Sequence, residues 1–214
     1  QIQWHHFSYL AISLALLGHG AAGAWLALVQ GKLLARSNFW LRVFGLGFAI
    51  TALLAFVLVQ RLPFNSLEIL WDPRQWGWLA LLYLCLFVPF FFAAACQVLA
   101  IRAHRQAISQ LYSATLSGAG MGALLMVWLQ FYFSAMELLL GLSLTIGLAV
   151  CLLMRRQGAS TKAWLVSGLC LLFILMLPNQ LMPSPFKALS KQLLIPQSHI
   201  LHERHSPYGR LQVV

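Results

Sequence analysis

Six stretches of this chain, at 1–31, 43–60, 75–101, 106–136, 138–154 and 163–186, contain no Lys, Arg, Asp or Glu. A soluble helix or strand must show water at least one polar face, and uncharged runs this long leave none. About 20 apolar residues suffice for a helix to cross the hydrocarbon core of a bilayer. Lipid offers no hydrogen bonds to the backbone, so only helices and closed barrels can span it. The runs are too long and too uniformly apolar for the in-and-out alternation of barrel strands. The expected fold is therefore all-α, a polytopic membrane bundle of about six transmembrane helices, near 7–29, 40–60, 76–101, 111–132, 134–154 and 163–178. Composition agrees: of 214 residues, 61% are hydrophobic and 8% charged, against roughly 25% charged in soluble domains.

The formal charge of +10 raises the question of nucleic acid. The bases lie between the apolar runs instead of forming one stripe or face, so they read as topology signals, and no nucleic acid partner is expected. Lys32, Arg36, Arg42, Arg102, Arg105, Arg155, Arg156 and Lys162 fall on one side of the bundle, against Arg61 and Arg74 on the other. The richer side is expected to be cytoplasmic. Five tryptophans, Trp4, Trp25, Trp40, Trp76 and Trp164, fall close to expected span ends, where an amphipathic ring settles at the interface. Cys85, Cys96, Cys151 and Cys170 lie within apolar segments without CxxC spacing, and read as small hydrophobes.

Chemistry-bearing residues are few. Gly18-His19-Gly20-Ala21-Ala22-Gly23 matches the GxGxxG pattern, yet it lies inside a charge-free helical run with no acid near position 42, so the context of a nucleotide loop fails. The same holds for Gly118-Ala119-Gly120-Met121-Gly122, better read as small-residue helix packing through Gly118 and Gly122. Ala11, Ala15, His19 and Gly23 would make a comparable ridge on the first span. Spans four and five, separated only around Phe133-Ser134, should form a tight antiparallel hairpin. Within the membrane, His19, Gln97, Gln130 and Glu137 are the polar candidates, and polar groups there default to a functional reading. Interhelical hydrogen bonding is the simplest role for His19, and an interfacial place the simplest for Glu137. His5 and His6 have no companion ligand nearby, so no metal site is expected.

After Pro178 the texture changes. Pro183, Pro185 and Pro196 interrupt any long helix, 187–194 suits a short amphipathic one, and 199–214 is polar with alternation, as expected of a soluble β-rich region. The expected division is a transmembrane bundle at 1–180, then a linker and opening strands at 181–214. Gln1 in place of an initiator methionine and the strand-like ending Leu211-Gln212-Val213-Val214 suggest part of a longer protein.

Several segments together resemble the membrane half of bacterial spermidine synthase-like proteins: Trp4-His5-His6-Phe7-Ser8-Tyr9, Pro63-Phe64-Asn65 with Trp71-Asp72-Pro73-Arg74, and Leu111-Tyr112-Ser113-Ala114 running into Gly118-Ala119-Gly120-Met121-Gly122-Ala123. The tail His202-Glu203-Arg204-His205-Ser206-Pro207-Tyr208-Gly209-Arg210 is similar to the opening β-hairpin of the family's soluble domain. The resemblance implies a multi-pass protein of the bacterial inner membrane whose bundle anchors its own downstream transferase domain. That domain would have the fold of S-adenosylmethionine-dependent methyltransferases. The implied reaction is aminopropyl transfer from decarboxylated S-adenosylmethionine to putrescine, with the catalytic Asp and nucleotide loop beyond Val214. Tyr208, Gly209 and Arg210 would lie next to substrate, with Gly209 standing where the family has Gln.

No cofactor is implied for the bundle itself. Its expected partners are the lipid bilayer, the downstream domain and, as a homo-oligomer, further copies of the chain. An adenosylated donor is cytosolic, whereas six full spans would put the tail outside. At 16 residues, 163–178 is short of the usual minimum of about 17, so the tail is expected on the cytoplasmic side. An alternative function is a six-helix module transporting a polyamine or related small cation.

Overall fold

A computed structural model describes residues 3–64, 69–156, 168, 202–206 and 209–213, and side chains over 9–29, 31, 33–64, 69–134 and 136–156. Among the described residues five long helices follow one another: α1 (Gln3–Ala35), α2 (Ser37–Arg61), α3 (Arg74–Ala103), α4 (Ile108–Leu129) and α5 (Ala135–Arg156). Each contains a segment long and apolar enough to cross a membrane. The expected sixth span, 163–178, lies outside the described residues apart from Gly168, which is helical. A short antiparallel hairpin, β1 (His202–Ser206) with β2 (Gly209–Val213), pairs His202 with Val213 and Ser206 with Gly209.

Connections at the basic end are tight. Arg36 alone separates α1 from α2, and its carbonyl accepts from the amides of Phe39 at 3.0 Å and Trp40 at 3.1 Å. A 3-10 turn, Arg105–Ala107, leads from α3 into α4. At the opposite end, Asp72 Oδ1 accepts from the Arg74 amide at 3.0 Å, an Asx turn that starts α3.

Spatial order differs from chain order: α3 packs against both α1 and α2, and α5 packs on the far side of α2. On α1 the buried positions are Leu14, Gly18, Ala22, Leu26 and Leu33. That face is one residue out of step with the expected ridge, since Ala11 and His19 are exposed and Ala15 and Gly23 only half-buried. One residue is about 100° of helix rotation. On a helix apolar all round, periodicity cannot choose between neighbouring faces, and the fit against α3 decides. Gly18 makes that fit, because a Cβ there would lie 2.9 Å from the carbonyl carbon and the Cβ of Phe90. With no side chain at Gly18 the two backbones can approach directly. Leu26 and Arg102 meet farther along, so α1 and α3 run parallel, and α2 is the return between them in the chain only.

The larger apolar cluster joins Ala22, Leu26 and Leu33 of α1, Leu41 and Phe44 of α2, and Ala94, Ala95 and Leu99 of α3. Aromatic edges line it: Trp25 sits edge-on to Phe44 at 6.0 Å and to Phe91 at 5.8 Å, and Trp40 is 5.7 Å from Phe44. Trp25 and Trp40, expected as interfacial anchors, are thus half-buried parts of the packing, while Trp76 is 60% exposed. An indole at a span end joins the core when its helix face does.

On α5, Met136, Ser143, Gly147, Val150 and Met154, five of its six buried residues with Leu138 the sixth, recur at steps of seven, four, three and four, the spacing of a seam between antiparallel helices. Across that seam, Ser143 donates its hydroxyl to the Ala49 carbonyl at 3.2 Å. A Cβ at Gly45 would lie 2.9 Å from Val150 Cγ2.

No residue of α4 is buried among the described residues. The expected close hairpin of spans four and five does not form. Its connection at 130–134 turns the chain, but α5 follows α2 instead, because its seam of small and flexible residues matches Gly45, Ala49 and Leu53.

Candidate functional site

Two of the intramembrane polar candidates meet. His19, at the middle of the apolar segment Tyr9–Val29, lies across the α1–α3 junction from Gln97. His19 Nε2 is 3.1 Å from Gln97 Oε1, and His19 Nδ1 is 2.8 Å from the Ala15 carbonyl oxygen. The carbonyl can only accept, so Nδ1–H donates to Ala15. A neutral ring then accepts at Nε2, and the matching orientation of Gln97 presents its amide N–H there, the amide oxygen and nitrogen being interchangeable by a half-turn. Either way the ring is held at both nitrogens, one bond within α1 and one between helices.

Both side chains are exposed on the outside of the described bundle. Beside His19, Gly20 and Gly23 have nothing within 4 Å of a Cβ. The pair matches the local logic of α1. Gly18 brings α3 close, and His19, about 100° round the helix, reaches over the junction to the polar group on the neighbour.

Glu137 does something different. Its Oε2 accepts from the Ser134 amide at 2.7 Å, and the Ser134 hydroxyl accepts from the Glu137 amide at 3.3 Å. These reciprocal bonds form a capping box at the start of α5, in which two otherwise orphaned amides are satisfied. The signal was present in the sequence as Ser134-Ala135-Met136-Glu137, the S-x-x-E pattern before an apolar run. Gln130 closes α4, its amide donating to the Met126 carbonyl at 3.1 Å. The carboxylates of Asp72 and Glu137 therefore both hold helix starts, at the end of the bundle opposite most of its bases.

Gly118 and Gly122 lie on α4, and no atom lies within 4 Å of a Cβ built at either. The packing they suggest thus has no counterpart among the described residues. Tyr208 lies outside the described residues. Gly209 and Arg210 open β2, opposite Ser206 and His205. No group of three His, Cys, Asp or Glu able to hold a metal ion occurs among the described residues. Sequence reasoning missed Ser143, whose hydroxyl ties α5 to α2, and Gly18, the close contact of α1 with α3. Each is a small residue, distinguishable from its neighbours only by what stands opposite it.

Comparison with models of protein families, with curated proteins and with solved structures finds no match.

Proposed function

We propose that this chain is the membrane-anchoring bundle of a spermidine synthase-like transferase of the bacterial inner membrane, with β1 and β2 as the opening hairpin of its soluble domain. The observation that carries the reading is that hairpin: the tail with the most diagnostic resemblance is arranged as two paired strands, His202–Ser206 against Gly209–Val213. The use of polar groups within the bundle supports it. His19 and Gln97 tie α1 to α3, Ser143 ties α5 to α2, and Glu137 caps α5. Groups committed to holding helices suit an anchor. Transport of a polyamine calls for a carboxylate available within the membrane, and Glu137 is instead placed at a helix start.

In this reading the aminopropyl donor, decarboxylated S-adenosylmethionine, binds the soluble domain, and the bundle contributes location and orientation. The test uses membranes containing the whole native protein, supplied with labelled donor and putrescine. Labelled spermidine is the expected product. Failure of both transfer and donor binding would overturn the reading. So would binding of the donor by residues 1–214 alone as tightly as by the whole protein, which would put the site among these residues.

A further inference from the structure

We propose that the basic end of the bundle is a binding surface for the phosphate headgroups of anionic phospholipids. The helix ends gather there from four elements: Lys32 at the end of α1, Arg36 in the turn, Arg42 at the start of α2, Arg102 and Arg105 where α3 ends, and Arg155 and Arg156 closing α5. These positions belong to one locality. The apolar cluster that joins α1, α2 and α3 also takes in Leu153 of α5, and each of the seven bases lies within about two helical turns of a member.

Arg36, Arg105, Arg155 and Arg156 are exposed, and Arg42 and Arg102 half-buried. Arg42 Nε donates to the Asn38 carbonyl at 3.0 Å, and Arg102 Nη1 to that of Leu26 at 3.4 Å. These bonds steady two of the side chains.

No Asp or Glu lies at this end among the described residues. Asp72 and Glu137 are at the opposite end, with Arg61 and Arg74. Among the residues whose side chains are not described, the bases Lys162, Lys187, Lys191, Arg204 and Arg210 outnumber the acids Glu68 and Glu203. The positive-inside rule accounts for the orientation such charges impose, but leaves their counter-charge unspecified. At the depth of helix ends the available anion is the lipid phosphate, to which membrane-adjacent bases are drawn. Six of the seven bases are arginine, whose planar fork meets phosphate oxygens in pairs where lysine offers a point charge.

The test uses the purified chain in neutral detergent, stripped of lipid and titrated with dioleoyl phosphatidylglycerol or dioleoyl phosphatidylcholine, with bound lipid read by native mass spectrometry. The expected result is about tenfold tighter retention of phosphatidylglycerol, weakening with salt. Arg36→Gln with Arg105→Gln, Arg155→Gln and Arg156→Gln should remove most of that preference, whereas Arg61→Gln with Arg74→Gln leaves it intact. Should the fourfold variant lose its helical circular dichroism, Arg36→Gln with Arg105→Gln alone should still lower the preference about threefold. Equal retention of the two lipids, or equal loss from the variant at the opposite end, overturns the proposal. Displacement of the lipid by inorganic phosphate or by a short oligonucleotide at comparable concentration does so too, assigning the surface to a soluble anion.

Discussion

Substituting Gly18 by Ala places a methyl where the structure has no room. The added carbon would stand 2.9 Å from two carbons of Phe90 and 3.1 Å from the Phe91 amide nitrogen. Carbon contacts are comfortable at about 3.5–4.0 Å, and two of the three obstructing atoms belong to backbone, so α1 and α3 must part by roughly 0.6–1 Å.

A gap of that size forfeits about a quarter to a half of each contact's attraction, itself about 0.1–0.2 kcal/mol. Leu14 and Leu26, fully buried on the same face of α1, would each make about 50 contacts. If half of these cross the junction, the loss is about 1–5 kcal/mol before relaxation, with a middle value near the usual cost of overpacked cores. Replacing a helical glycine returns up to about 1 kcal/mol of that. The net expectation is about 2 kcal/mol of destabilisation, with the His19–Gln97 bond stretched from 3.1 Å beyond the range of a sound hydrogen bond, about 3.5 Å.

Equilibrium unfolding in mixed micelles by sodium dodecyl sulfate, followed by circular dichroism, measures this. Gly20→Ala serves as the internal control, since nothing lies within 4 Å of its Cβ. It should be neutral or mildly stabilising. Equal stability of the two variants would refute the close approach at Gly18 and with it the parallel packing of α1 on α3.

Other outcomes follow from the same contacts. His19→Ala and Gln97→Ala should each destabilise, and a double-mutant cycle should give a coupling of about 0.6 kcal/mol, typical of interhelical hydrogen bonds in membranes; additive effects would mean that the pair does not interact. Ser134→Ala and Glu137→Ala should each cost about 1 kcal/mol by opening the capping box, while Glu137→Gln, which can still accept from the Ser134 amide, should retain most of the stability. In detergent that keeps the chain monomeric, Gly118→Leu with Gly122→Leu should leave the unfolding midpoint unchanged, because those positions are open; a large drop would show that α4 packs within the chain. The same pair compared in bilayers reports whether further copies of the chain cover α4.

The five described spans were legible because each charge-free run is uniformly apolar, a property of composition that needs no knowledge of neighbours. Their limits were less so. Helix α1 continues to Ala35 and α3 to Ala103, six and two residues past the expected 29 and 101, since lysine or arginine in a last turn is no obstacle to helical backbone. Which face packs was hidden for the same reason that the spans were plain. Leu14, Gly18, Ala22 and Leu26 are no more apolar than the exposed Leu16, Leu17 and Leu28, so only a partner distinguishes them. The candidate site divides likewise. His19, Gln97 and Glu137 stand out as polar letters in apolar text. That the first two join, while the third closes a capping box with Ser134, depends on where α3 lies and on reading a local four-residue pattern.

The bare flanks of α4 bear on how such a chain would be made. Of the five described spans it is the least apolar, and it emerges from the ribosome between two that enter lipid readily. A segment with neither strong greasiness nor a docking site among the described residues depends on its tethers, here the three-residue turn before it and the Gln130-to-Ser134 bend after it. Lengthening either tether should leave this cylinder on the wrong side of the insertion machinery and reverse α5 with it, undoing the seam between α5 and α2.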